Sequence, residues 1–274
     1  MSLEQEMDQL SPTDEEAVWP RYFIHLAYDG SSYHGWQRQP NGHSVQAELE
    51  AALRTLLRQE KVITTGCGRT DAGVHARSFF AHFNAMEEIG DCSELAYKLN
   101  QVLPPDVAVF RIFRVADRAH ARFDARSRSY EYHIHQIPDP FVRAYSTLYP
   151  WPLDLPAMKE AAAMLTGRRD FASFCKSGGA QKTTICEVTD AHWIKEGEKL
   201  VFHITADRFL RNMVRAIVGT LLEVGRGKRS PESIPHILGG LQRSAAGESV
   251  KACGLHLTRV AYDFVPDDHS SQVP

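Results

Sequence analysis

The chain has 274 residues, 43% hydrophobic and 24% charged, with a formal net charge of −3. That length allows one large domain or two small ones around a sizeable core, and no apolar run reaches the ~20 residues needed to span a bilayer. Five cysteines without C-x-x-C spacing argue against a disulfide framework and a structural zinc site; with neither a basic n-region nor an apolar h-region in the first twenty residues, a cytoplasmic location is expected.

The charge is unevenly spread. Residues 1–18 hold six acids (Glu4, Glu6, Asp8, Asp14, Glu15, Glu16) and no Lys or Arg, and Asp267 and Asp268 lie in a polar tail. Without these eight acids the chain carries 31 Lys and Arg against 26 acids, a net of +5. Most of these bases are arginine, whose planar fork suits phosphate. Residues 1–18 are expected to form a disordered acidic leader and 267–274 a polar tail.

"RYFIHLAYDG" (21–30) has strand composition and ends in an Asp-Gly turn. "SVQAELEAALRTLL" predicts a helix with Ser44 as N-cap and Val45, Leu49, Leu53, Leu56 and Leu57 on one face. "KVITTGC" reads as a buried strand and "RSFFAHFNA" as another. "SELAYKLNQVL" is a helix stopped by Pro104 and Pro105, and "VAVFRIFRVA" closes the set. The order β-α-β-β-α-β is the ferredoxin-like arrangement.

The second half repeats the theme. "SRSYEYHIHQI" alternates as a strand, and "LPAMKEAAAMLTG" is a helix with Pro156 near its start. "TICEVTDAHWIKEGEKLVFHITAD" makes two strands around Gly197. "FLRNMVRAIVGTLLEVG" is a strongly apolar helix, "PESIPHILGG" a short one, and "GLHLTRVAYDF" a last strand. The fold expected is α+β: an N-terminal half over 19–117 and a C-terminal half over 118–266, sharing one extended, mainly antiparallel sheet and one core.

Four constellations bear on chemistry. "GCGRTDAGVHA" (66–76) places Asp71 two residues after Arg69 in a glycine-rich turn, where the chain bends tightly and a ligand can approach closely. The spacing is not that of a phosphate-binding P-loop, and Cys67 has no base near it in sequence. "DRAHARFDARSRSYEYHI" interleaves Arg122, Arg126 and Arg128 with Phe123, Tyr130 and Tyr132. Arginines there can hold phosphates while a ring stacks on a base; an edge strand with a solvated charged face would read alike. "DRFLRNMVR" spaces Arg208, Arg211 and Arg215 as on a helix. Arg215 precedes an apolar run, so its guanidinium needs a carboxylate partner, and Asp71 is a candidate. An arginine partner keeps a carboxylate ionised, as a nucleophile requires. His133 and His135 have a strand spacing that can bind metal, but no acidic third ligand is evident and no metal site is expected.

These stretches resemble the tRNA pseudouridine synthase A family over about Tyr22 to Phe264. "GCGRTDAGVHA" is similar to the family's catalytic signature, "HARFDARSRSYEY" to its arginine-rich strand, "GRRDFASFC" to the loop that follows, "FLRNMVRAIVGTLLEVG" to its late helix, and "LNQVLPPDVAV" to a further pattern. The resemblance implies conversion of uridine to pseudouridine in the anticodon stem-loop of tRNA, at positions 38–40, by a homodimer without cofactor or metal. It implies Asp71 as the essential carboxylate, Arg215 as its partner, Tyr130 stacking on the flipped uracil and Arg69 aiding extrusion. Arg122, Arg126, Arg128 and Arg211 are the further substrate-binding candidates. It also implies two ferredoxin-like halves with helices on one face and the cleft between them. One carboxylate can attack C1′ or C6, or remove a ribose proton. A glycoside hydrolase would normally need a second carboxylate, and a non-catalytic RNA-binding module would give Asp71 no task. The sequence departs from the family at Cys67, where Ala is usual, and in "SVKACGLHL", which lacks an expected Ala-Pro.

Overall fold

The computed structural model describes residues 19–176 and 182–266. The acidic leader and the polar tail expected at 1–18 and 267–274 lie outside the described residues. Strand β1 (Arg21–Tyr28) runs to the Asp-Gly turn, and helix α1 (Val45–Leu57) starts at Ser44, whose side chain accepts from Ala47 N. Strands β2 (Thr65–Gly66) and β3 (His75–Asn84) flank the glycine-rich loop. Helix α2 (Cys92–Val102) is capped by Asp91, which accepts from the amides of Ser93 and Glu94; it ends before Pro104, ahead of β4 (Val107–Arg114).

Next come β5 (Ser127–His135), β6 (Thr147–Leu148), α3 (Leu155–Ala163), β7 (Gly167–Asp170), β8 (Ile185–Glu196), β9 (Lys199–Ala206), α4 (Met213–Gly225), α5 (Ser233–Gly240) and β10 (Leu255–Ala261). The strands form one sheet in the order β4-β1-β3-β10-β5-β9-β8-β7, with β2 on β3 and β6 on β5. Only β10–β3 and β5–β6 pair in parallel; every other pairing is antiparallel. Read by connectivity, β10-β5-β9-β8 is a ferredoxin-like order, and β4-β1-β3 is the matching order with its fourth strand cut short.

Three expectations are corrected. The strand read in "KVITTGC" is only two residues long, because the chain leaves β3 for the loop straight after Gly66↔Ala81. The late helix begins at Met213, not Phe209: Asn212 sits in the left-handed region at φ 65°, which no continuous α-helix can contain. The buried side chains also form two clusters, not one core. One joins β1, β3 and β4 to α1 and α2; the other joins the second-half strands to α3, α4 and α5. The physical cause is the seam, where β3 and β10 share only the pairs His75↔His256 and Ala76↔Leu257.

Candidate active site

The loop between β2 and β3 carries Asp71, and its backbone is pinned from one side. Cys67 N donates to Phe80 O at 2.7 Å, closing the end of β2. Thr70 Oγ1 lies 2.9 Å from the Tyr28 hydroxyl and accepts from Trp36 N at 3.1 Å. Gly35, at φ +92°, presses against the same point: a Cβ there would lie 2.2 Å from Thr70 O. Gly73, at φ +75°, donates to Tyr33 O at 3.2 Å, and Val74 N donates back to Asp71 O at 3.2 Å. A side chain at Gly35 would collide with the loop, and one at Gly73 would strain the turn. Asp71 is thus held at the tip with its carboxylate about one-third exposed.

Arg215 reaches that carboxylate from the other half. It lies in the first turn of α4, and its Nη1 donates to Asp71 Oδ2 at 3.3 Å. Its Nε donates to Val250 O at 2.8 Å, while Val250 N donates to Arg215 O at 3.2 Å. The reciprocal bonds fix the guanidinium before it meets Asp71. The helix itself is held close to the 248–250 segment, since a Cβ on Gly219 would overlap Glu248 O at 1.7 Å. A pair that water still reaches, its side chains 22% and 32% exposed, adds modest stability, about 1 kcal/mol. What the contact supplies is orientation.

Tyr130 lies on β5 between Leu257 of β10 and Ile204 of β9, and its ring packs against both core clusters. Phe209 meets it edge-on, with centroids 5.0 Å apart. Burial pushes its phenol well above the ordinary value; the nearby Cys67 and Asp71 add to this and Arg128 opposes it. A neutral aromatic ring is thus held within electrostatic reach of Asp71. Tyr132, two residues on, is wholly buried and bonds Thr147 Oγ1 and Lys251 O, so it is a core residue. Burial pushes the Cys67 thiol up to about 11, which keeps it protonated and a poor nucleophile.

The whole-chain comparisons bear on this site. A family model described as tRNA pseudouridine synthase matches residues 161–263. The tRNA pseudouridine synthase A of Bacteroides fragilis is 51% identical over 243 residues, 88% of this chain and 96% of that protein. Those of Parabacteroides distasonis and Moorella thermoacetica are 49% and 44% identical, over 88% and 87% of this chain and 96% and 98% of their own lengths. This chain belongs to the tRNA pseudouridine synthase A family.

Pseudouridine synthases are isomerases, and the matched residues 161–263 include helix α4. The remaining arginines fall into two groups. Arg69, Arg122 and Arg211 are exposed: Arg69 on the loop of Asp71, Arg122 beside the Phe123 ring, and Arg211 ahead of α4. Arg126 is exposed too, but forks onto the Asp263 carboxylate, with Nε at 2.8 and 2.9 Å from its two oxygens. Arg128 is half-buried, and its guanidinium donates to four backbone carbonyls. His133 bonds Glu131 and His135 bonds Ser146, each at 2.9 Å.

Sequence reasoning missed Thr70, Gly35 and Val250, which position Asp71 and Arg215. Thr70 was in view inside the family signature, but a threonine between Arg and Asp announces no partner. Val250 lies in the segment that departs from the family pattern. A short 3₁₀ turn at Ala252–Gly254 follows it, and the Val250 carbonyl still meets Arg215.

Proposed function

We propose that this protein converts uridine to pseudouridine at positions 38–40 of the tRNA anticodon stem-loop, acting as a homodimer and without cofactor. The observation that carries this reading is the Asp71–Arg215 contact at 3.3 Å across the seam, beside the Tyr130 ring. In the reaction the N1–C1′ bond breaks, the uracil turns, and C5 joins C1′. A proton leaves C5 and one is gained at N1, so nothing is oxidised and no donor is consumed.

Asp71 is the single carboxylate nucleophile, and the Arg215 hydrogen bond keeps it aimed. A base inside a stem must first be turned out of its stack, which costs a few kcal/mol. Stacking on the Tyr130 ring, worth about 1–3 kcal/mol, offsets part of that cost. Arg69, exposed on the same loop, helps extrude the target nucleotide. Arg122 and Arg211, also exposed, are candidates for phosphate contacts. The homodimer rests on the family resemblance, and sedimentation at micromolar concentration tests it: a dimer mass is expected.

The deciding experiment incubates the full chain with unmodified tRNA and maps pseudouridine by carbodiimide labelling and primer extension. Modification at positions 38–40 is expected. Asp71→Asn should lose turnover by on the order of 10⁴-fold or more while still binding tRNA. Release of free uracil, or full activity in Asp71→Asn, would overturn the reading.

A further inference from the structure

Arg128 lies on β5 two residues before Tyr130 and on the same face of the strand. Its Nη1 donates to Ala125 O and Asp207 O, both at 2.9 Å. Its Nη2 donates to Cys67 O at 2.8 Å and Arg122 O at 2.6 Å. The two Nη atoms of a guanidinium carry four N–H groups, and here each has a carbonyl. A phosphate could reach them only by displacing a bond the fold already makes.

The acceptors belong to separate parts of the site. Cys67 begins the loop that carries Asp71. Asp207 follows β9 and begins the segment that leads into α4 and Arg215. Arg122 and Ala125 belong to the turns that deliver the chain into β5. One side chain therefore ties together the backbone segments that present Asp71, Arg215 and Tyr130. Only an arginine can do this: its fork is flat, permanently charged and aims its donors in fixed directions, whereas lysine offers three donors from a single point.

We propose that Arg128 is a positioning residue for the reaction, holding the Asp71 loop in register with Tyr130 and with the start of the Arg215 helix. It touches no reacting atom and acts through the Cys67 and Asp207 carbonyls. This rests on the reading of Asp71, Tyr130 and Arg215 as the reacting groups. It also separates Arg128 from the exposed arginines of the same stretch, whose task would be phosphate.

Arg128→Ala removes all four bonds and can cost the fold, so Arg128→Lys, which keeps the charge, is the deciding variant. It is compared with wild type in the full chain on unmodified tRNA. The expected result is a fall in kcat of about a hundredfold, the scale of an ångström-sized misplacement. KM and the slope of log affinity against log salt should stay unchanged. Amide hydrogen exchange should quicken in 67–74 and 207–212 and stay slow in β1 and β3.

Wild-type kcat with wild-type loop exchange overturns the proposal. So does an intact kcat in Arg128→Gln, which drops the charge, with a salt slope shallower by about 0.9, the loss of one phosphate contact. Asp71→Asn is assayed in parallel. If it is inactive while Arg128→Lys is fully active, the positioning role alone fails. If Asp71→Asn is active, the proposed function fails, and loop exchange in Arg128→Lys still decides whether Arg128 holds the loop.

Discussion

Two neighbouring rungs cross the middle of the sheet one residue apart and face opposite ways. One runs Ala76, Leu257, Tyr130, Ile204, Ala191; the next runs His75, His256, Glu131, His203, His192. Alternation along each strand sends the first toward the helices and the Asp71 loop, and the second to the far face. On the first side the strands supply one ring among apolar neighbours, and loops and a helix end bring the charges. On the second side the strands supply the ionisable groups, and burial lowers the pKa of His75, His203 and His256.

The imidazoles stack, with His75 and His256 centroids 4.8 Å apart and His192 and His203 4.9 Å apart. The Nε2 atoms of His75 and His256 lie 3.1 and 2.8 Å from the carbonyls of Ala144 and Tyr145, a geometry that suits neutral Nε2–H rings. Burial, with His133 and His75 alongside, lowers His256 to about 3 against the opposing pull of the Tyr145 carbonyl. The lesson is that one sheet seam holds the Asp71–Arg215 ion pair on one face and, on the other, stacked imidazoles around Glu131, whose carboxyl the His133 hydrogen bond holds below its usual range. Catalysis and acid stability should therefore respond to different substitutions.

The strongest test of that separation is Arg215→Ala. It should lower kcat by on the order of a hundredfold, because Asp71 loses both its partner and its aim. The melting temperature should drop only slightly, since a pair that water still reaches adds about 1 kcal/mol. A large loss of stability with turnover preserved would reverse the assignment.

Tyr130→Ala comes next. Losing a stacking contact of about 1–3 kcal/mol predicts a five- to 150-fold fall in kcat, whereas tRNA affinity changes little. Tyr130→Phe should stay near wild type, and raising the pH from 7 to 9 should not inactivate the enzyme through the Tyr130 phenol, which burial holds un-ionised. Kinetics of the two variants across that pH range check both statements.

The far rung gives the smallest effect, and it appears in stability alone. A histidine whose folded pKa is depressed binds its proton more readily when unfolded. Its contribution is complete above about 6.5, the unfolded value, and is lost as pH falls toward about 3. For His256 the loss at pH 5 is at most about 2 kcal/mol. His256→Leu should shrink the stability difference between pH 7 and pH 5 by up to that amount, as read by urea unfolding. Turnover at pH 7 should stay within about twofold of wild type.

Much of this was legible in the residues. The cap at Ser44, the turn at Gly197 and the stop before Pro104 are local events, written in the few residues that make them. The Asp71–Arg215 contact was legible for another reason: an arginine ahead of an apolar run needs a counter-charge, and Asp71 stood out among glycines. The helix start at Met213 was less so, because the left-handed turn at Asn212 is imposed by packing on the 248–250 segment and leaves the helical spacing of Arg208, Arg211 and Arg215 intact in the sequence.

The sequence by itself determined the longer strands and the helices, though not the short β6 and β7, together with the loop that carries Asp71 and the family to which the chain belongs, because each rests on neighbouring residues or on spacing along one element. Only the tertiary structure decided that Arg126 and Arg128, two positions apart and alike on paper, turn to a carboxylate and to four carbonyls. It alone decided that the histidines gather on one face. Those outcomes depend on which groups lie opposite once β3, β10, β5 and β9 are laid side by side, and strand register is set by the packing of the whole sheet.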